Sequence, residues 1–230
     1  MNYYYYYSLI IFLIFVIISV PLSGMLLNKQ KTKESLVNMP NIALIGDSML
    51  NNSNYIEYDS NKDLSIPGLI KDSGTVNLYN YAKDSATIKD CYTQIDSIKY
   101  MPKDTTIFIS AGGNNIVNES NKNVVTKDTI TILFKKYSEM VITIQKQFPG
   151  TTIYLLTLYK PTDKRYAKLY KNIDQWNNKL VSFAKNHGFK LIQTNILLTT
   201  DEDFIYSIEP SKIGGKKIAD AILSSAVINQ

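Results

Sequence analysis

The sequence is poor in the residue types on which many metal sites and catalytic sites depend. It contains one cysteine, Cys91, one histidine, His187, and one arginine, Arg165. A single cysteine excludes an internal disulfide and any site built from several thiolates, and no His, Asp or Glu pair has metal-ligand spacing. We therefore expect no metal and no cofactor. Because His187 precedes a glycine at the end of a helical pattern, we interpret it as a helix-terminal residue.

The positive charge of the chain is dispersed along the sequence. The formal net charge is +5, and nearly all of the basic residues are lysines interleaved with acidic residues. Nucleic-acid-binding surfaces instead collect arginine and lysine on one face with aromatic residues between them. We therefore expect no nucleic-acid partner.

The longest apolar run lies at the N-terminus. Residues 1–28 carry no charged side chain, and residues 9–27 are mostly apolar over about the 20 residues that span a bilayer. A cleaved signal peptide would have a basic start and a clear small-residue cleavage site, so an uncleaved, single-pass membrane anchor is favoured. Lysines after the run favour a cytoplasmic domain, whereas a signal-anchor or secretory route places it outside, and the side stays open.

A polar linker at residues 29–40 leads into a region, residues 41–230, in which strand and helix patterns alternate. Runs of β-branched and aromatic residues predict strands at residues 41–46, 75–82, 105–111, 151–158 and 189–194. Helical patterns cover residues 64–71, 88–99, 124–147 and 164–186, and a last helix begins near residue 211. We therefore predict one α/β domain, a three-layer α/β/α sandwich around a five-stranded, mostly parallel sheet.

The residues that follow the predicted strands are the candidates for function, because ligands bind at the carboxyl ends of parallel strands. Asp47 and Ser48 follow the first strand in a sharp turn, which would present the serine hydroxyl as a nucleophile or only as a helix cap. After the third strand, a glycine pair ending at Gly113 allows a ligand close to the backbone. The amide of Asn114 is a donor for a developing oxyanion, or part of an ordinary turn.

Other polar and aromatic residues receive a structural interpretation. The segment after the fourth strand could border a substrate cleft, but we interpret its residues Lys160, Arg165 and Tyr166 as a solvated loop and helix start. Trp176 has helical spacing with neighbouring apolar residues, which favours core packing over contact with a ligand. Cys91 is interpreted as a small core residue.

The strand-end motifs resemble those of the SGNH/GDSL hydrolase family. That family carries Gly-Asp-Ser after strand one, Gly after strand two, Gly-x-Asn-Asp after strand three and Asp-x-x-His before the last helix, and the likeness covers residues 41–226. The resemblance implies a flavodoxin-like SGNH hydrolase fold with Ser48 as the nucleophile. It also implies an oxyanion hole formed by the N–H groups of Ser48 and Ser85 and the amide of Asn114.

The sequence departs from the family pattern at three places. The glycine of the second block falls on Ser85, and Asn115 replaces the aspartate of the third block. In the last block the family's Asp falls on Tyr206 and its His on Glu209, while the following proline, serine and helix are kept. The ending is similar to that of a GDSL-like subgroup with Glu-Pro-Ser-x-x-Gly-Gly, in which the glutamate is regular.

Glu209 can act as a general base only if its pKa is raised. A free glutamate, with a pKa of about 4.3, is a poor proton acceptor, so burial or a neighbouring carboxylate such as Asp47 has to raise it. We expect Tyr206 to lie near Glu209 and to orient it. The pairing of Ser48 with Glu209 is thus chemically possible.

Two functions remain open from the sequence. The first is an esterase or acyl hydrolase that acts on a small-molecule, lipid or glycan ester through an acyl-Ser48 intermediate, from which acyl transfer to another hydroxyl is also possible. The second is a catalytically impaired pseudoenzyme that binds an acyl or glycan ligand or a protein partner. Retention of Ser48 and Asn114 favours the enzyme, and loss of the family's histidine favours the binding protein.

Overall fold

The computed structural model describes residues 39–227, except residues 58, 60, 61 and 123–125. The predicted anchor at residues 1–28 and nearly all of the linker at residues 29–40 lie outside the described residues. Among the helices that are described, none has both the length and the apolar character needed to cross a membrane.

A parallel sheet forms the centre of the domain. Its strands are β1 (Asn41–Gly46), β2 (Asn77–Asn80), β3 (Thr106–Ser110), β4 (Thr152–Leu156) and β5 (Lys190–Ile192). The order is β2-β1-β3-β4-β5, and every neighbouring pair is parallel. This order is that of flavodoxin-like sheets, so the predicted five-stranded α/β/α architecture is confirmed.

Helices cover both faces of this sheet. They are α1 (Ile66–Asp72), α2 (Ile88–Asp96), α3 (Gly113–Asn121), α4 (Lys127–Gln147), α5 (Tyr170–His187), α6 (Thr194–Leu197) and α7 (Lys212–Val227). Helix α1 packs on α7, whereas α4 packs on both α2 and α5. Every residue of β1 and β3 is buried, as expected for apolar strands between two helical layers. Strand β2 lies at an edge and exposes its terminal asparagines.

A small antiparallel hairpin precedes the last helix. It consists of β6 (Phe204–Ile205) and β7 (Glu209–Pro210), in which Ile205 pairs with Glu209. The 3₁₀ helices Lys164–Leu169 and Asp201–Asp203 complete the described elements. The hairpin was not predicted, because strands of two residues are too short to show alternation in the sequence.

The core confirms one prediction and corrects another. Trp176 is fully buried, with its ring 5.2 Å from each of the rings of Phe134 and Tyr137, as predicted for a core residue. Residues 113–121 form α3, although we predicted no helix there. The reason is that Gly112, with a φ of 107°, reverses the chain after β3, so that the helix can begin at the next residue.

Candidate active site

Ser48 lies in a turn that the sheet and α2 hold in place. Gly46 has a φ of 143°, and a Cβ at this position would lie 1.9 Å from the backbone oxygen of Ser110, so a side chain does not fit. The side chain of Gln94 in α2 donates to the Gly46 carbonyl at 2.8 Å and accepts from the Gly46 N–H at 2.8 Å. The position of Ser48 is therefore fixed by contacts from two other elements.

Asp47 is a buried carboxylate beside Ser48. Its Oδ1 accepts hydrogen bonds from the Ser110 hydroxyl at 2.6 Å and from the Met49 N–H at 3.2 Å. Burial raises the pKa of Asp47 from 3.8 to about 7, against the opposing effect of these hydrogen bonds, and the charge of Glu209 raises it further. Asp47 therefore holds the turn through its hydrogen bonds, and its own carboxyl group changes charge near neutral pH.

A single pocket brings together most of the predicted site residues. Asp47, Ser48, Gly113, Asn114 and Glu209 all contribute to its lining. Asp47 and Ser48 follow β1, Gly113 and Asn114 follow β3, and Glu209 belongs to β7. The five residues therefore come from three separate segments of the chain. The structure therefore places the predicted nucleophile, oxyanion donor and base around the same space.

Glu209 is half-buried in this pocket, next to Ser48. Burial raises the pKa of Glu209, the Ser48 hydroxyl lowers it as a hydrogen-bond donor, and the charge of Asp84 raises it. Oε2 of Glu209 is buried without a hydrogen-bond partner among the described residues.

The carboxylate that raises the pKa of Glu209 is not the one we expected. The sequence suggested Asp47, but the group that acts on Glu209 is Asp84, in the turn after β2. Asp84 is itself held by the Tyr55 hydroxyl, which donates to its Oδ1 at 2.6 Å. The repulsion between Asp47 and Glu209 instead raises the pKa of Asp47.

Asn114 lies in the first turn of α3, with its amide held against the segment that precedes α2. Its Nδ2 donates to the Ala86 carbonyl at 3.0 Å, which uses one of the two amide hydrogens and leaves the other as a donor. The neighbouring Asn115 accepts from the N–H of Ile88 at 3.0 Å. The side-chain oxygen of Asn115 accepts this hydrogen bond, as a carboxylate oxygen would. The link to α2 is therefore kept although Asn115 replaces the family's Asp.

Ser85 occupies a backbone conformation that favours glycine. Its φ is 59°, in the left-handed region, which explains why the family has a glycine there. Its side chain is exposed and donates to Asp84 at 3.2 Å. The N–H groups of Ser85 and Ser48 have no hydrogen-bond partner within the described part of the chain. Both remain free as donors, although Ser85 does not line the pocket.

Tyr206 lies outside the pocket, contrary to the prediction that it orients Glu209. It is 71% exposed, and its ring lies 6.0 Å from that of Tyr55. Tyr206 and Ser207 both have positive φ, of 49° and 76°, so the chain between β6 and β7 makes a left-handed turn.

Three residues that the sequence analysis did not assign to the site hold the hairpin that carries Glu209. The Tyr159 hydroxyl donates to the Ile208 carbonyl at 2.7 Å, and Nδ2 of Asn52 donates to the Pro210 carbonyl at 3.0 Å. Arg165 donates to the Ser207 hydroxyl. Tyr159 follows β4, so the strand-end rule could have found it, whereas nothing in the local sequence distinguishes Asn52.

The segment after β4 agrees with both interpretations that the sequence left open. Arg165 is exposed, as predicted for a solvated loop, and Leu158, Tyr159 and Pro161 line the pocket, as expected for the border of a cleft.

The remaining reactive side chains lie elsewhere. His187 ends α5 and packs between Phe183 and Phe189, with ring centroids 4.6 Å and 5.8 Å away. It precedes the amino end of β5, at the opposite edge of the sheet from Ser48. Cys91 is fully buried, and burial raises the pKa of its thiol. The described residues include no cluster of His, Cys, Asp and Glu arranged to hold a metal ion.

Comparison with known proteins gives no match to a family model and none to a curated protein sequence. Solved structures do match. LAE5, an alpha/beta hydrolase enzyme from the Lake Arreo metagenome, has 16% identity and a TM-score of 0.63 over 83% of this chain and 96% of its own.

Two further similar structures come from bacteria. A member of the lipolytic G-D-S-L family from Veillonella parvula has 18% identity and a TM-score of 0.60 over 80% of this chain and 96% of its own. An extracellular lipase from Streptomyces rimosus has 18% identity and a TM-score of 0.60 over 81% of this chain and 99% of its own. This chain therefore has the fold of the SGNH/GDSL lipolytic hydrolases.

Proposed function

We propose that this protein is an ester hydrolase in which Ser48 is the nucleophile and Glu209 replaces histidine as the general base. The observation that carries the proposal is the pocket that Ser48, Asn114 and Glu209 share, with one oxygen of Glu209 buried and unpaired. A pocket that only bound a ligand would not need a hydroxyl, an amide donor and a carboxylate of raised pKa around one point.

Acylation would begin with attack of the Ser48 hydroxyl oxygen on the ester carbonyl carbon. The hydroxyl proton passes to Glu209, and the carbonyl oxygen becomes an oxyanion. The Ser48 N–H and the Asn114 amide, which line the pocket, stabilise it, and the Ser85 N–H is a third donor that the family resemblance implies. When the tetrahedral intermediate collapses, the bond to the alcohol oxygen breaks. The alcohol takes the proton from Glu209 and leaves, so that Ser48 carries the acyl group.

Deacylation would repeat these steps with water. Glu209 accepts a proton from water as the water oxygen attacks the acyl carbon, and the proton returns to the Ser48 oxygen when the acyl bond breaks. The products are a carboxylic acid and free Ser48. An alcohol in place of water would give acyl transfer by the same steps.

The environment of Glu209 supports its role as a base. Partial burial and the nearby charge of Asp84 both raise the pKa of this carboxylate, which makes it a better proton acceptor than a glutamate in water. No imidazole stands near the pocket, because His187 packs at the end of α5.

The test is hydrolysis of p-nitrophenyl acetate by the full chain in detergent. Ser48→Ala should abolish turnover, and Glu209→Gln should lower kcat by about 10²–10⁴-fold, the usual contribution of general-base catalysis. Glu202→Gln, an exposed glutamate just before the hairpin, is the matched control. If the wild type is no faster than Ser48→Ala on acetyl, butyryl and longer esters, the hydrolase proposal fails and the binding protein is favoured.

We also propose that residues 1–28 anchor the domain to a membrane, because they are uncharged and include an apolar run of spanning length. The full chain should stay in the membrane fraction after alkaline carbonate extraction, and a chain lacking residues 1–28 should not. Because Cys91 is buried, labelling of Ser35→Cys by an impermeant thiol reagent, compared with the unsubstituted chain, would report the side of the membrane. Release of the full chain by carbonate would contradict the anchor.

A further inference from the structure

The pocket beside Ser48 continues into an apolar chamber. The chamber is lined by side chains from α3, from the segment after β4 and from the start of α5: Ile116, Val117, Leu158, Leu169 and Ile173. Four of them, all except Val117, are at most 5% exposed and belong to the hydrophobic core. The chamber is therefore closed at its inner end by core residues.

The chamber is small. The whole pocket, including the part that Ser48 and Glu209 line, has a volume of about 60 Å³, so the chamber is no larger than that. A water-sized group needs about 10–15 Å³ on the same measure, so the chamber holds at most about four to six such groups. That capacity fits an acetyl to butyryl group, whereas a chain of eight or more carbons would have to extend out of the pocket and keep its end in water.

The two sides of Ser48 differ in polarity. On the side of β3 and β4 lies the apolar chamber, while on the side of β2 lie Asp84 and the hydroxyl of Tyr55, which are hydrogen-bonded to each other. The alcohol departs to solvent after acylation, whereas the acyl group has to stay attached to Ser48 until water attacks. The apolar chamber is suited to the acyl group.

We infer that the chamber is an acyl site that restricts the substrate to esters of short-chain carboxylic acids, of about two to four carbons. This inference rests on the proposed hydrolase function. It assigns the alcohol portion of the substrate to the open side near Tyr55 and Asp84, so that acyl length, and not alcohol size, limits the rate.

Two substitutions change the chamber in opposite directions. A Cβ at Gly113 would lie 3.6 Å from Cδ2 of Leu158, an ordinary contact, so Gly113→Ala adds a methyl group to the lining without a clash. Val117→Ala removes two methyl groups from a half-buried position on the chamber wall. Val181→Ala, at a 45% exposed position of α5, is the matched control for Val117→Ala.

The experiment measures kcat/KM of the full chain for p-nitrophenyl acetate, butyrate, hexanoate and octanoate in one detergent. We expect a fall of about tenfold or more from butyrate to octanoate, since apolar pockets discriminate chain length by about that factor. Gly113→Ala should lower the butyrate-to-acetate ratio, and Val117→Ala should raise the hexanoate-to-butyrate ratio. Val181→Ala should leave both ratios as in the wild type.

Failure of this inference is distinguishable from failure of the hydrolase function. The acyl site is wrong and the hydrolase stands if esters are hydrolysed but kcat/KM is the same for octanoate and butyrate. The same conclusion follows if Gly113→Ala leaves the butyrate-to-acetate ratio unchanged and Val117→Ala leaves the hexanoate-to-butyrate ratio unchanged. Binding of neutral amides, measured by NMR titration, needs no turnover. The acyl site is supported, even without hydrolysis, if butyramide binds more tightly than octanamide and Gly113→Ala weakens the binding of butyramide. It is overturned if the two amides bind equally and Gly113→Ala has no effect.

Discussion

The side-chain amide of Asn52 connects the segment that carries Ser48 to the strand that carries Glu209. Its Nδ2 donates to the Pro210 carbonyl at 3.0 Å, and its Oδ1 accepts from the Ile66 N–H at 2.8 Å at the start of α1. Asn52 is fully buried, so water cannot replace either hydrogen bond. The distance between the proposed nucleophile and base therefore depends on a residue that is neither of them.

Asn52→Asp should lower kcat with little change in KM. The aspartate can still accept from Ile66, but it brings an oxygen against the Pro210 carbonyl and so displaces the hairpin. A displacement of about 1 Å costs on the order of 100-fold in rate. Steady-state kinetics would separate the two constants, with Asn178→Asp, on the exposed face of α5, as the control. A protein of lower stability with unchanged kcat would assign Asn52 a structural role only.

Neighbouring asparagines at the start of α3 should differ in their effects. Asn114→Ala removes an oxyanion donor and should lower kcat by about 10²–10³-fold. Asn115→Ala removes the acceptor for the Ile88 N–H and should instead lower the free energy of unfolding by about 1–2 kcal/mol. Kinetics and chemical denaturation of both variants would test this. Equal losses of kcat would show that Asn114 acts through the packing of α3 and not on the oxyanion.

The acid limb of the pH–rate profile should depend on Asp84. Glu209 must be ionised to accept a proton, so the rate should rise with pH through its pKa, which lies above its ordinary value of 4.5. Asp84→Asn removes a charge that raises this pKa, so the limb should move to lower pH. Asp96→Asn, at an exposed position at the end of α2, makes the same change of charge and should not move it. If the acid limb stays in place in Asp84→Asn, the limb does not report the ionisation of Glu209.

Asp47 should make the protein less stable as the pH rises towards neutrality. Its pKa is about 7 in the folded chain against 3.8 ordinarily, so the folded state holds this proton more tightly. The resulting stabilisation is complete below pH 3.8 and is lost as the pH rises to about 7.

Asp47→Asn removes this titration. Relative to the wild type, its free energy of unfolding should increase by up to about 4 kcal/mol between pH 4 and pH 8. Urea denaturation across this range would measure the change, and Asp72→Asn, at the exposed end of α1, should follow the wild type. Parallel curves for Asp47→Asn and the wild type would mean that Asp47 keeps its ordinary pKa.

The strands of the sheet could be predicted from the sequence because each is a short, continuous run of β-branched and aromatic residues. Helix α3 could not, because its first residues, Gly113, Asn114 and Asn115, are typical of turns. The helix forms there because the left-handed Gly112 and the hydrogen bonds to Ala86 and to Ile88, the first residue of α2, fix its first turn.

The site was predictable to the extent that it follows the strands. Ser48 and Asn114 come directly after β1 and β3, and Glu209 precedes the last helix, so position along the chain was informative. The residues that fix the positions of these side chains and raise the pKa of Glu209 could not be predicted. Asn52 bonds to a residue 158 positions away, and Asp84 acts on Glu209 through space. Such pairs have no periodicity or spacing that a single sequence can reveal.

The hairpin that carries Glu209 is held by its main chain. Tyr159 binds the carbonyl of Ile208 and Asn52 binds the carbonyl of Pro210, so neither attachment involves the side chain between them. A substitution at position 209 therefore changes the acid–base group and leaves the attachments intact. Over evolutionary time this arrangement lets one scaffold exchange histidine for glutamate, or for a residue that cannot accept a proton, and so gain or lose turnover without rebuilding the fold.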